Sequence, residues 1–470
     1  MIGAKLERAT LLLALVAATL ASAVAPVAAE LRTETFRVGP IEVAGYQIKE
    51  KIEIGVPRPR GDTSIVAMKA DVVDRSGKQV PISRLMLHHI AFLKLGVKDR
   101  TCDTYTLSDD FTKIPALAER FYAAGEERHE LRLPPGYGYP SGSQDMWGMV
   151  WMLMNHRKAT DRAYIQWTVT YETDPGLTPV RPYWFDVANC RQDPVYDVPG
   201  DGAAGAVHAR TFQYTMPESG RLIAAGGHLH GGGRKLVLSQ PDCADRTLFT
   251  SEPLWANPEH PFYNVRPVLH EPGPLSMTGF NSATGIPVKA GQRIRLTANY
   301  DGAQPHMRVM GIMLAFLAPD AALEDGCAPL PADLTTLRSG EPGRALSPPF
   351  TLPLIGLDRR GRAREIERPP GRVVARGRRP TVVVRDFAFD KPNLWVAPGS
   401  RITWRFASQT LHNVTVASGP RGFSSPNLND LRSFSKKLTT SGVYKLYCGL
   451  HPVLMQQTII VGGLQTPKDG

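Results

Sequence analysis

The stretch Tyr447-Cys448-Gly449-Leu450-His451-Pro452-Val453-Leu454-Met455 places a cysteine, a histidine and a methionine within eight residues. A second histidine stands 36 residues before the cysteine, in Leu411-His412-Asn413-Val414. A thiolate, two imidazoles and a weak thioether form the donor set of a blue-copper electron-transfer centre. A tight loop between two strands can wrap Cys448, His451 and Met455 around one ion while a distant strand supplies His412. The bland alternative is a buried cysteine with two incidental histidines. If this C-terminal unit carries electrons, another part of the chain should use them.

The chain has 470 residues, too many for one core, and predicts about three domains. Apolar residues make up 42% and charged residues 21%, ordinary for a globular protein. Forty prolines, 43 glycines and frequent Val/Ile/Thr/Tyr alternation point to an all-β chain. Lys5 and Arg8, the apolar run Thr10–Val24 and Val27-Ala28-Ala29 read as a secretory signal over residues 1–29. A membrane anchor is the alternative, and no later stretch is long enough to span a bilayer. The expected location is periplasmic or secreted. Cys448 is assigned to copper, and the four remaining cysteines can pair in three ways. The simplest arrangement is Cys102–Cys190 and Cys243–Cys327, one bridge in each of two domains. Export to an oxidising compartment permits both.

The formal net charge is +11, much of it local. Nine arginines lie between Asp358 and Arg379 without interleaved aromatics, so the run is not read as a nucleic-acid site. It reads as a solvated linker, with docking to an acidic partner or to membrane headgroups as the minority reading. The expected units are 30–200, 205–327, a Pro/Gly/Arg-rich linker at 328–379, semi-extended and poorly packed, and 380–463.

Two earlier groups of residues carry metal chemistry. Leu85-Met86-Leu87-His88-His89-Ile90 holds adjacent histidines in an apolar strand. In a regular strand they face opposite ways, so one metal takes both only where the strand ends or bulges. Taken alone, the pair suggests one structural and one functional histidine. His156 ends the run Met146–Asn155, which is apolar on both faces. In Gly226-Gly227-His228-Leu229-His230-Gly231, two histidines share a strand face, although such pairs also occur in loops. Met307 follows polar residues at the start of a strand. Met310 and Met313 read as core. His129, His208, His260 and His270 read as structural or surface residues, His306 is undecided, and Arg308 reads as a surface ion pair, with an anion-holding role as the minority reading. A zinc hydrolase at His228/His230 is disfavoured because no acid stands near the pair in sequence.

These motifs, in this order over residues 60–320, resemble the copper type II, ascorbate-dependent monooxygenases, the family of peptidylglycine alpha-hydroxylating and dopamine beta-monooxygenases. The C-terminal unit resembles a plastocyanin-type cupredoxin. The resemblance implies two antiparallel jelly-roll sandwiches followed by a Greek-key cupredoxin. One copper would sit on His88, His89 and His156 and relay an electron. The other would sit on His228, His230 and Met307, the catalytic set, where O2 meets an organic substrate. The chain departs from peptide-hydroxylating members in having Gly226 where an arginine holds the substrate carboxylate, and Gly311 where a tyrosine follows the methionine. Glycine-extended peptides are therefore poor candidate substrates. The cupredoxin is expected to deliver electrons on a flexible tether, with His451 as its exit, replacing or supplementing ascorbate or another external reductant. The rival is an exported copper-binding or electron-carrier protein without oxygen chemistry. Three coppers per chain fit the first reading and one fits the second.

Overall fold

The computed structural model describes residues 31–106, 113–173, 176–338, 343–344 and 347–462. The expected signal at 1–29 lies outside them. Every regular element among the described residues is a β-strand, as the composition predicts. Among them, no helix is long and apolar enough to cross a membrane.

Two sheets face each other in the first sandwich. One runs in the order Leu31–Val43, Asp161–Glu172, Thr63–Val73, Tyr137–Ser141 and Thr178–Pro179. The other runs Ile48–Ile54, Met146–Asn155, Leu85–Leu95 and Ala118–Gly125. Strand Asp161–Glu172 shows why the faces differ. Its alternate residues Ile165, Trp167, Val169 and Tyr171 are buried, while Thr168 and Thr170 bond Thr35 and Thr33 at 3.0 and 3.1 Å on the outer face. In Met146–Asn155, Trp147, Met149, Trp151 and Leu153 enter the core. Val150 and Met152, on the other face, line an interdomain cavity, which explains an apolar run on both faces.

The second sandwich pairs Arg181–Asp186, Gly311–Pro319, Gly220–Leu229 and Ser276–Val288 against Val207–Thr215, Arg293–Asp301, Gly233–Gln240 and Arg246–Ser251. Its first strand therefore precedes the Pro/Gly-rich crossing at 194–206 where the sequence suggests a boundary. That crossing instead carries the short strand Tyr196–Val198, which pairs with His306–Val309. Apolar continuity overrides turn composition here. The first core extends into Ile223, Ile312, Leu314 and Phe316 of the second sandwich, so the two share an apolar interface.

Both expected disulfides form. Cys243–Cys327 lies within the second sandwich. Cys190 follows strand Arg181–Asp186, so Cys102–Cys190 joins the two sandwiches and does not close one of them.

The third sandwich sets Asn393–Val396, Gln456–Val461, Gly442–Tyr447 and Thr415–Ser418 against Thr381–Arg385, Ser400–Phe406 and Ser433–Leu438. Trp404 fills its centre and donates to Gln457 at 2.8 Å. The segment before it is not the poorly packed tether expected. Thr335–Arg338 extends a sheet of the second sandwich, and Leu354–Leu357 forms a hairpin with Ala363–Ile366. Ile355 packs with Leu269 of the second sandwich and Val453 of the third. Lys158 of the first sandwich donates to the Arg360 carbonyl at 2.6 Å. The hairpin's apolar residues, outnumbered in composition by arginine and proline, seat it against all three sandwiches.

Candidate metal centres

The Cys448 loop joins strands Gly442–Tyr447 and Gln456–Val461. Its turn is closed by Cys448 N–H to the Met455 carbonyl and His451 N–H to the Cys448 carbonyl, at 3.1 and 3.0 Å. His412 arrives on a separate segment, held by reciprocal main-chain bonds with Leu428 at 2.8 Å. The two Nδ1 atoms of His412 and His451 lie 3.2 Å apart, and Cys448 Sγ lies 3.9 and 3.6 Å from them. Met455 is fully buried in the same core. Ser408 Oγ meets His412 Nε2 at 3.0 Å and so turns Nδ1 inward. Asn413 N–H donates to Cys448 Sγ at 3.4 Å, and its side-chain oxygen accepts from Gly449 N–H at 2.6 Å. Burial pushes the Cys448 thiol up, and burial together with His412 lowers His451 to about 4. Ring nitrogens held this close, in a neutral state beside a buried sulfur, fit a soft cation.

The second centre is assembled across the interface of the first two sandwiches. In strand Leu85–Leu95, His89 pairs with Met152 and Leu87 with the next residue, Leu153, so His88 is the bulged position. The bulge turns both rings to one side, with their Nδ1 atoms 3.1 Å apart. At the end of strand Gly220–Leu229, the Nε2 atoms of His228 and His230 are also 3.1 Å apart. The pairs face one another, with the His88 and His230 ring centroids 5.0 Å apart. His270 brings a fifth ring, 4.9 Å from His88.

Acids that the sequence does not place near the histidines complete the cluster. Glu126 accepts from His270 Nε2 at 2.7 Å and from Gly273 N–H at 2.6 Å, and lies 3.7 Å from His88 Nε2. Glu127 bonds His228 Nδ1 at 3.0 Å. Both follow strand Ala118–Gly125. Acids therefore do stand beside the histidines in space, although the one beside His228 occupies Nδ1 and leaves Nε2 to the cluster. Burial pushes His88 and His230 down, reinforced by neighbouring rings, and lowers His89 to about 4. His228 goes the other way: burial lowers it, but Glu127 outweighs burial and raises it. Burial would raise Glu127, yet His228 leaves its carboxyl below the ordinary range.

Two expected ligands lie elsewhere. His156 is buried with Nδ1 3.2 Å from the Pro267 carbonyl. Its neighbouring ring is His270, with centroids 6.4 Å apart. Met307 packs on the third sandwich, and a Cβ on Gly422 would lie 2.2 Å from its Cε. Strand alternation sends Met307 away from buried His306, whose Nδ1 bonds Glu271 at 2.9 Å. Gly226 is glycine because the His129 ring fills its side-chain space, 2.1 Å from an ideal Cβ. Arg308 is no surface ion pair: its side chain is mostly buried and bridges Asp193 to the Ser425 carbonyl.

Buried polar atoms of the cluster have no partner, namely His270 Nδ1 and Glu127 Oε2. Such atoms are costly unless a cation or water satisfies them, so the donor set fits a metal. The cluster forms one wall of a cavity of about 1080 Å³ between the three sandwiches. Ile48, Val150 and Met152 line it from the first, Leu314 from the second, and Tyr447 and Leu450 from the third.

No family model matches the chain. It is 26% identical over 258 residues to a protein named as a probable copper-dependent oxygenase of Cochliobolus lunatus, spanning 51% of this chain and 74% of the relative. A protein of the same description from a Phoma species is 25% identical over 304 residues, spanning 60% of this chain and 69% of the relative. Amicyanin-alpha of Methylorubrum extorquens is 27% identical over 82 residues, 17% of this chain and 69% of that protein. Among solved structures, a reduced amicyanin mutant aligns with 25% identity over 17% of this chain and 80% of its own, at a TM-score of 0.17. The chain thus has distant sequence similarity to copper-dependent oxygenases and to a cupredoxin.

Proposed function

We propose that this protein is an exported copper-dependent monooxygenase that hydroxylates a C–H bond with O2, and that the Cys448 unit is its built-in electron donor. The observation that carries the reading is convergence. His88/His89 and His228/His230, far apart in sequence, meet on the wall of a cavity that residues flanking Cys448 also border. Copper in these sites supplies one-electron redox chemistry and reactivity toward O2. His88, His89, His228 and His230 are the proposed ligands of the oxygenase centre, with His270 and Glu126 beside them. His412, Cys448, His451 and Met455 are those of the blue centre.

The chain's own residues suit an apolar organic substrate. Arg120, Arg210 and Arg308 reach the cavity, but they are engaged by Asp99, the Val187 carbonyl and Asp193. The Ile48, Val150 and Met152 wall would hold a hydrocarbon portion against the histidines and exclude water. Glu127 fixes the ring orientation of His228. The N-terminal pattern and the two disulfides support an oxidising compartment, periplasmic or secreted, with ascorbate or a redox protein as external reductant. We read the first two sandwiches as jelly rolls akin to the copper type II monooxygenases and the third as a Greek-key cupredoxin.

Copper titration with electron paramagnetic resonance tests the reading, together with O2 uptake in the presence of ascorbate. Non-blue copper in addition to one blue ion, with O2 consumption, is the expected result. A single blue ion without O2 uptake would establish the carrier alternative.

A further inference from the structure

The blue centre and the histidine cluster are joined at Arg308. This residue adopts φ +54°, a left-handed conformation that costs a non-glycine residue about 1 kcal/mol or more. Three contacts hold it there. Its N–H donates to Asp197 Oδ1 at 3.1 Å, and its guanidinium reaches Asp193 and the Ser425 carbonyl. Asp197 also accepts from Ser424 N–H and Oγ of the third sandwich, at 2.6 and 2.7 Å. Ser425 Oγ accepts from Val414 N–H at 2.9 Å, two residues from His412.

On one side of this junction, Tyr300 Oη accepts from His230 N–H at 2.9 Å and donates to the carbonyl of Met310, two residues from Arg308, at 2.5 Å. On the other, Tyr447, the residue covalently adjacent to Cys448, pairs with Thr415, the neighbour of Val414, and the Arg308 charge acts on its hydroxyl against the effect of burial. Tyr447, Arg308 and His230 all line the one cavity. His451 does not line it, and its ring packs edge-on against Phe387, which is 44% exposed.

We propose that Tyr447 and Arg308 form the electronic contact through which the Cys448 centre reduces the histidine cluster, entering at His230. The proposal rests on the tethered-donor reading above and names its route. One electron leaves the cuprous blue centre, which becomes cupric, and a cupric ion at the histidine cluster becomes cuprous. No proton or further reactant is consumed. Arg308 is a positioning residue: it docks the third sandwich and keeps Tyr447 on the cavity wall that His230 shares. The competing exit is the His451 loop, whose Val453 packs on Leu269 beside His270.

The test uses the full copper-loaded chain, oxidised and free of O2. A flash-generated reductant reduces the blue centre, and the return of its absorption is followed. In the wild type the return should be first order and independent of protein concentration. Tyr447→Leu and Arg308→Ala should slow it about ten-fold or more, with the blue band kept in both and its potential unchanged in Tyr447→Leu. Tyr447→Phe, which keeps the ring, and Val453→Ala should retain the wild-type rate. In the copper-free protein, Arg308→Ala should expose the 347–379 segment to protease sooner than the wild type, and Tyr447→Leu should not. Unchanged transfer in Tyr447→Leu and Arg308→Ala, or slowing only in Val453→Ala, overturns the route while leaving the tethered donor standing. A wild type with no first-order return overturns both.

Discussion

The two candidate metal centres are built in opposite ways. At Cys448 a single loop between adjacent strands supplies three of the four proposed ligands, and the turn's own main-chain bonds hold their spacing. At the sandwich interface no segment supplies more than two donors. The cluster exists because an apolar core presses strand Leu85–Leu95 toward strand Gly220–Leu229. A loop-built centre should persist when its surroundings are damaged, whereas an interface-built centre should depend on everything that holds the halves together.

Paired ligand substitutions should break this comparison most visibly. Cys448→Ser should abolish the blue absorption and leave non-blue copper in place. His230→Ala should leave the blue band intact and reduce O2 uptake by about 100-fold or more. Loss of the blue band in His230→Ala would show that the centres do not fold independently.

A smaller effect is expected at Asp186, in the first strand of the second sandwich. Burial raises its carboxyl to about 6, and its Oδ2 has no hydrogen-bond partner. A raised acid favours the folded state below its unfolded pKa and loses that contribution as pH rises through the folded value. Between roughly pH 4 and 6 the wild type should lose about 3 kcal/mol relative to Asp186→Asn. Denaturant titrations of both proteins at several pH values would measure the difference, and parallel profiles would count against it.

The smallest effect separates ligand from packing. Met307→Ala should leave copper content and the resonance of the non-blue copper unchanged, and loosen the docking of the third sandwich by about 2 kcal/mol. Loss of non-blue copper would return Met307 to the ligand set.

The same contrast explains what the sequence could reveal. Cys448, His451 and Met455 are legible because their spacing is their geometry. The His88/His89 and His228/His230 pairs are legible as pairs for the same reason, and the bulge at His88 meets the condition set by two adjacent histidines in a strand. The partners across the interface are not. His270 follows Val268-Leu269 in an irregular stretch and looks structural until it approaches His88. Glu126 and Glu127 look like a solvated turn, although two acids after the apolar run Phe121–Gly125 were a usable signal of burial. Met307 misleads because periodicity marks it as exposed to something without saying to what. The segment at 328–379 misleads because eleven arginines hide the few apolar residues that seat it.

Between strand Thr178–Pro179 of the first sandwich and strand Arg181–Asp186 of the second stands one residue, buried Val180. A few residues further on, the Cys102–Cys190 bridge crosses the same seam. A joint one residue long with a covalent clasp beside it leaves little swing for a hinge. The two halves of the histidine cluster are therefore set at a fixed separation when the chain folds, and under the proposed function a substrate would enter on the side of the cavity closed by the third sandwich.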